Sequence, residues 1–206
     1  MPVSNIVKNI KHEINALAGK EAKDKQFCAE HIYEREDDAI TAFILSKEKL
    51  FDVNAWSEIP GINSTFILYD DNGKKAEGKV LEGYFIKILL PGAKIKNWVH
   101  IKSVTNEADF AQFIVHPSEK PADRNKPDAE VKHFFAEEAS STFRVMREGN
   151  KITAFEIGRN EVINNNGHEA GSRALLNTLI AEGGWAGFQK IQWEKLTRYL
   201  VHLEED

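Results

Sequence analysis

The stretch Gln26–Gly61, QFCAEHIYEREDDAITAFILSKEKLFDVNAWSEIPG, decides the fold. Its opening residues alternate, Phe27, Ala29 and His31 against Cys28, Glu30 and Ile32, as a strand does when its two faces meet different surroundings. Glu34, Glu36, Asp37 and Asp38 then put negative charge where a following helix has its positive end. Ala39, Ile40, Phe43, Ile44, Leu50, Phe51 and Val53 give that segment an apolar face, interrupted by the polar Ser46–Lys49. It closes on Trp56–Ser57–Glu58–Ile59–Pro60–Gly61, and the Pro–Gly pair predicts a firm turn. A strand, a helical segment and a tryptophan turn thus come first.

From Ser64 onward the pattern is β. Ser64–Tyr69 is rich in β-formers and runs into Asp71–Asn72–Gly73, a tight-turn signal. Gly83–Leu90 stops at Pro91–Gly92, and Asn97–Val104 and Phe110–His116 are joined by the acidic turn Asn106–Asp109. Thr142–Arg147 and Lys151–Ile157 predict a hairpin across Glu148–Gly149–Asn150. Several strands with short polar turns point to an antiparallel meander, not to βαβ units. The polar, proline-rich Pro117–Lys132 has no periodicity and reads as a long loop, a kind of segment that often covers a site.

The two ends read as helices. Trp193, Leu196, Leu200 and Leu203 fall at three- and four-residue spacing in a closing helix from Trp185 to Glu204, with Lys190, Glu194, Lys195 and Arg198 opposite. A shorter helix is expected over Arg173–Ala181, capped by Ser172 and ended by Gly183–Gly184. At the start, Val3, Ile6, Val7, Ile10, Ile14 and Leu17 predict an amphipathic helix between Ser4 and Gly19. The expected organisation is this helix, within residues 1–25 and packed on the body, followed by one domain over 26–206.

Bulk properties exclude several function classes. The chain has 206 residues, 42% hydrophobic and 29% charged, enough for one substantial core. Its net charge is −5 with acids and bases interspersed, so the basic stripe that grips nucleic acid is absent. No apolar run reaches membrane-spanning length, and the N-terminus lacks a secretory h-region. Cys28 is the sole cysteine. It fits a reducing, cytoplasmic setting and is expected to be a buried, inert thiol.

The pattern resembles the helix-grip superfamily, which holds START lipid-transfer domains, birch-pollen allergens, polyketide cyclases and many uncharacterised proteins grouped as SRPBCC. Strand Gln26–Glu34, the segment Ala39–Trp56 with its WSEIPG turn, and the closing QKIQWEKLTRYLVHL carry the likeness. It implies an α+β fold in which a curved antiparallel sheet of six to seven strands grips the last helix, here with an extra N-terminal helix. It also implies a cavity between sheet and helix. Gly83–Ile88, Pro91–Gly92 and Trp98–Ile101 read alternatively as strands of a small SH3-like barrel.

Such a cavity would be lined from alternate strand positions. One face offers Val99, Ile101, Phe113, Val115, Phe143 and Val145; the other offers His100, Gln112, Ile114, His116, Arg144 and Met146. Apolar pockets with a few polar groups are the usual small-molecule sites. Tyr84, His100, His116 and Glu156 are the candidate orienting groups, Phe113 and Phe143 the apolar lining, and Trp56 and Trp185, beside glycine- or proline-containing turns, the candidates for the mouth. The seven histidines are scattered without HxH or HExxH spacing, so no metal site is expected. Nor is a cofactor: G-x-G-x-x-G, the P-loop pattern and G-x-S-x-G are all missing from the sequence.

The function expected is binding of an apolar or amphipathic small molecule under the C-terminal helix. The alternatives are a cyclase- or dehydratase-type enzyme with His100 or His116 moving a proton, and a protein-interaction module. A homodimer is compatible with the pattern.

Overall fold

A computed structural model describes residues 23–91, 96–123, 126, 137–161 and 185–203. Strand β1 (Lys23–Ile32) leads into helix α1 (Glu36–Phe51), whose first turn carries Glu36, Asp37 and Asp38 against the positive helix end. A 3-10 turn, Ala55–Glu58, connects it to β2 (Thr65–Tyr69) and β3 (Phe85–Leu89). Strands β4 (Lys96–Asn106), β5 (Phe110–Pro117), β6 (Ser140–Glu148) and β7 (Lys151–Glu161) come next, and α2 (Trp185–Leu200) closes the order. The N-terminal helix, the short helix over Arg173–Ala181 and most of the loop to Lys132 lie outside the described residues.

All seven strands join one antiparallel sheet in the order β1-β7-β6-β5-β4-β3-β2. Only β1 leaves its sequence neighbours, crossing to pair with β7, so α1 and the 3-10 turn are carried over one face. That face we call inner. The open sheet with helices on one side is the helix-grip α+β arrangement, and it replaces the SH3-like barrel reading. Bulges where β4 meets β5, between Ile101 and Ser103, and at the start of β1 against β7 add local twist. At the end of β7, Asn160 takes a left-handed φ of 52°, a conformation asparagine tolerates better than most residues.

The inner face is the core. Val99, Ile101, Phe113, Val115, Phe143 and Val145 are all buried there, joined by Ile152 and Ala154 of β7, Phe43 and Leu50 of α1, and Leu196 and Leu200 of α2. His100, Gln112, Ile114, His116, Arg144 and Met146 stand half-buried on the outer face, as period-two alternation requires. Cys28 corrects the expectation of a buried thiol: it is exposed. The reason is position. β1 is an edge strand, and the alternation that turns Phe27 and Ala29 inward turns Cys28 to the outer side.

Side chains fix the helices onto this face. Asn54 donates Nδ2–H to the Ala76 carbonyl at 3.1 Å and accepts the Leu68 amide at 2.9 Å, while Ser57 Oγ accepts the Phe66 amide at 2.9 Å. The 3-10 turn is thereby pinned to β2. At the far end of α2, His31 Nδ1 donates to the Val201 carbonyl at 2.9 Å and Lys49 Nζ to that of Tyr199 at 3.0 Å. His202 Nε2 donates to the Ala42 carbonyl at 3.0 Å and lies equally close to Ser46 Oγ. Ser46, which interrupts the apolar pattern of α1, is therefore buried as the seat for this C-terminal latch.

Candidate ligand site

Five aromatic rings meet in the middle of the inner face. Trp56 lies 5.0 Å from Phe143, 5.6 Å from Phe66 and 5.9 Å from Phe113; Phe143 in turn lies 5.1 Å from Phe113 and 5.5 Å from Trp193 of α2. Trp56 is 1% exposed and donates its indole N–H to the Lys49 carbonyl at 2.9 Å. It is the centre of the core, not a rim residue.

Polarity enters the inner face beside these rings. Glu156 stands opposite Phe143 of β6 and Phe27 of β1, on the parity that also sends Ile152 and Ala154 inward. It is 1% exposed. Ser141 is a hydrogen-bonding neighbour of the carboxyl, yet Oε1 has no partner among the described residues. Burial, then the charge of Glu161, hold its proton well above the usual glutamate range, opposed by the Ser141 hydrogen bond and, more weakly, by the charge of Lys25. The same causes favour the neutral, protonated form of an acid that faces the core.

Glu161 reaches this spot because of a glycine. A Cβ on Gly158 would meet Glu161 Oε1 at 2.6 Å and Cδ at 3.0 Å, so the bare backbone lets the acid fold back over the strand. Glu161 is 5% exposed. Gly158→Ala should evict that carboxylate, at a cost of about 1 kcal/mol in urea unfolding. In a Glu161→Ala background the same change should cost far less; equal costs in the two backgrounds would show that the close approach is irrelevant.

The sequence candidates divide by face. Trp56, Phe113, Phe143 and Glu156 share the inner face, and Tyr84 packs against the same core. Trp185 begins α2, and its side chain is outside the described residues. His100 and His116 face each other across β4 and β5 on the outer side, where His100 stacks on Phe85 at 4.7 Å. There they line a separate hollow of about 260 Å³ with Lys102, Ser118 and Glu119. A second opening of about 320 Å³, between the 3-10 turn and α2, is bordered by Glu58, Ile59, Lys195, Arg198 and Tyr199. No metal-binding group of three or more histidine, cysteine or acidic residues occurs among the described residues. No described helix is long and apolar enough to cross a membrane.

The fold defines a helix-grip α+β protein whose inner face combines an aromatic cluster with a buried acid. One solved structure of like shape agrees with the fold. A hypothetical protein from Helicobacter pylori aligns over 90% of this chain and 92% of its own at 7% identity, with a TM-score of 0.50. More distant likenesses are a major latex-like protein from Panax ginseng (10% identity, 89% and 99% covered, TM-score 0.42) and norcoclaurine synthase from Thalictrum flavum (12% identity, 94% and 94% covered, TM-score 0.40). At 7% identity the likeness to the Helicobacter pylori protein is one of fold alone. No family model matches the chain, and no curated protein is significantly similar to it.

Proposed function

We propose that the chain binds a single apolar or amphipathic small molecule on the inner face, between the sheet and α2. The observation that carries this reading is Glu156, a fully buried acid with an unpartnered oxygen beside Phe143. An unsatisfied buried polar atom costs about 1–3 kcal/mol, and such costs persist where a function needs them. Affinity comes from burial, at roughly 25 cal/mol per Å² of apolar surface removed from water, while Glu156 fixes orientation. Should the scaffold also catalyse, Glu156 is better placed as its acid than His100 or His116, which face the other side of the sheet.

The uncharged fluorophore N-phenyl-1-naphthylamine tests this. Its emission should rise on mixing with the purified chain, and native mass spectrometry of protein taken from its own cells should find a retained small molecule. An unchanged emission together with an empty mass spectrum would refute the reading.

A further inference from the structure

Helix α2 carries a buried stripe at four-residue spacing, Gln192, Leu196 and Leu200. Leucine fills two of these positions, and a third would extend the apolar core. Gln192, 2% exposed, stands there instead. Its Oε1 accepts the Ser64 amide at 3.4 Å, and because a backbone N–H can only donate, that bond fixes which end of the side chain is oxygen. Nε2 is then a buried donor with no acceptor among the described residues. Glu156 supplies a second donor. Ser141 bonds its carboxyl while Oε1 has no partner, so Oε1 is left as the place for the proton of the neutral acid. Both donors border one pair of rings: Trp193 follows Gln192 on α2 and lies 5.5 Å from Phe143, the cross-strand partner of Glu156.

Resting on the ligand-binding reading above, we infer that the ligand is an uncharged, largely apolar molecule with a carbonyl oxygen, held by Gln192 Nε2–H from α2 and by the Glu156 hydroxyl from β7. The Ser64 bond accounts for the oxygen of Gln192 and leaves its nitrogen without a structural purpose. A buried donor that lacks an acceptor is costly to the fold, and a carbonyl oxygen, with two lone pairs and no proton, relieves that cost when it binds. An ammonium ligand brings only donors and finds no acceptor in the neutral pair. A carboxylate could accept, but neither donor brings a counter-charge, and the Glu161 charge that acts on Glu156 acts against a further anion there.

Equilibrium dialysis of the full chain at pH 7 against 2-acetylnaphthalene, its hydrocarbon isostere 2-isopropylnaphthalene, 1-(2-naphthyl)ethylamine and 2-naphthoate gives four direct affinities. The ketone should bind more tightly than the amine or the carboxylate. Its affinity relative to the hydrocarbon should fall about tenfold in Gln192→Met, which keeps the bulk of the side chain and removes the donor. The same ratio should fall in Glu156→Leu and be kept in Glu156→Gln, whose amide still donates. General damage to the site weakens ketone and hydrocarbon alike and leaves the ratio unmoved. An unchanged ratio in Gln192→Met or Glu156→Leu, or an amine or carboxylate that binds as tightly as the ketone, overturns the carbonyl inference while the apolar site stands. If none of the four is retained, the ligand-binding reading falls and this inference with it.

Discussion

Trp56→Ala should cost about 3–5 kcal/mol of folding stability, the largest loss expected from any single truncation among the described residues. The indole is 1% exposed and touches Phe66, Phe113 and Phe143, residues from β2, β5 and β6. These strands are spread along the sheet, so removing the ring opens a cavity that no single neighbour can fill. Its N–H bond to Lys49 also ties the turn to the end of α1. Trp56→Phe keeps most of the apolar area and should cost less, the lost bond alone contributing about 1–2 kcal/mol. Urea unfolding of both variants gives the comparison. A loss under about 1 kcal/mol for the alanine variant would mean that the turn is not anchored as described.

Strand parity is the most legible part of this chain. The alternation in Asn97–Val104, Phe110–His116 and Thr142–Arg147 sorts Val99, Phe113 and Phe143 from His100, His116 and Arg144, because a half-buried sheet imposes period two on its sequence. Alternation does not tell which face the helices cover, so both histidines stand as candidates for a cavity they do not line. Trp56 suggests a rim because Pro60 and Gly61 lie just beyond it. Its burial depends on Asn54 and Ser57 bonding to β2, contacts between segments that a local pattern does not contain. Cys28 misleads for a related reason: membership of an edge strand is a property of the topology. Glu156 can be singled out as a polar residue on a strand, but the partner that perturbs it cannot. Glu161 looks like a turn residue, and the one available signal is Gly158, a glycine inside a strand pattern that marks a close approach.

Glu156 makes stability depend on pH in a direction opposite to most acids. The unfolded chain releases this proton near the ordinary glutamate value of 4.5, whereas the folded chain holds it to a much higher pH. Between those two values the folded state binds more protons, so stability falls as pH rises; below 4.5 the contribution is complete. Each unit of separation costs about 1.4 kcal/mol once the folded value has been passed. Glu156→Gln removes the titration while keeping the shape. Any penalty from an imperfectly bonded amide is the same at every pH, so it shifts the curve without tilting it. The variant should therefore gain on the wild-type chain as the pH is raised above 5 in urea unfolding, overtaking it where the penalty is small. Glu161→Gln should flatten the wild-type slope only in part, because burial is the larger cause and the neighbouring charge the second. Parallel stability curves for wild type and Glu156→Gln would mean that the acid ionises freely in the fold, and the inner face would then hold a charge that these residues leave uncompensated.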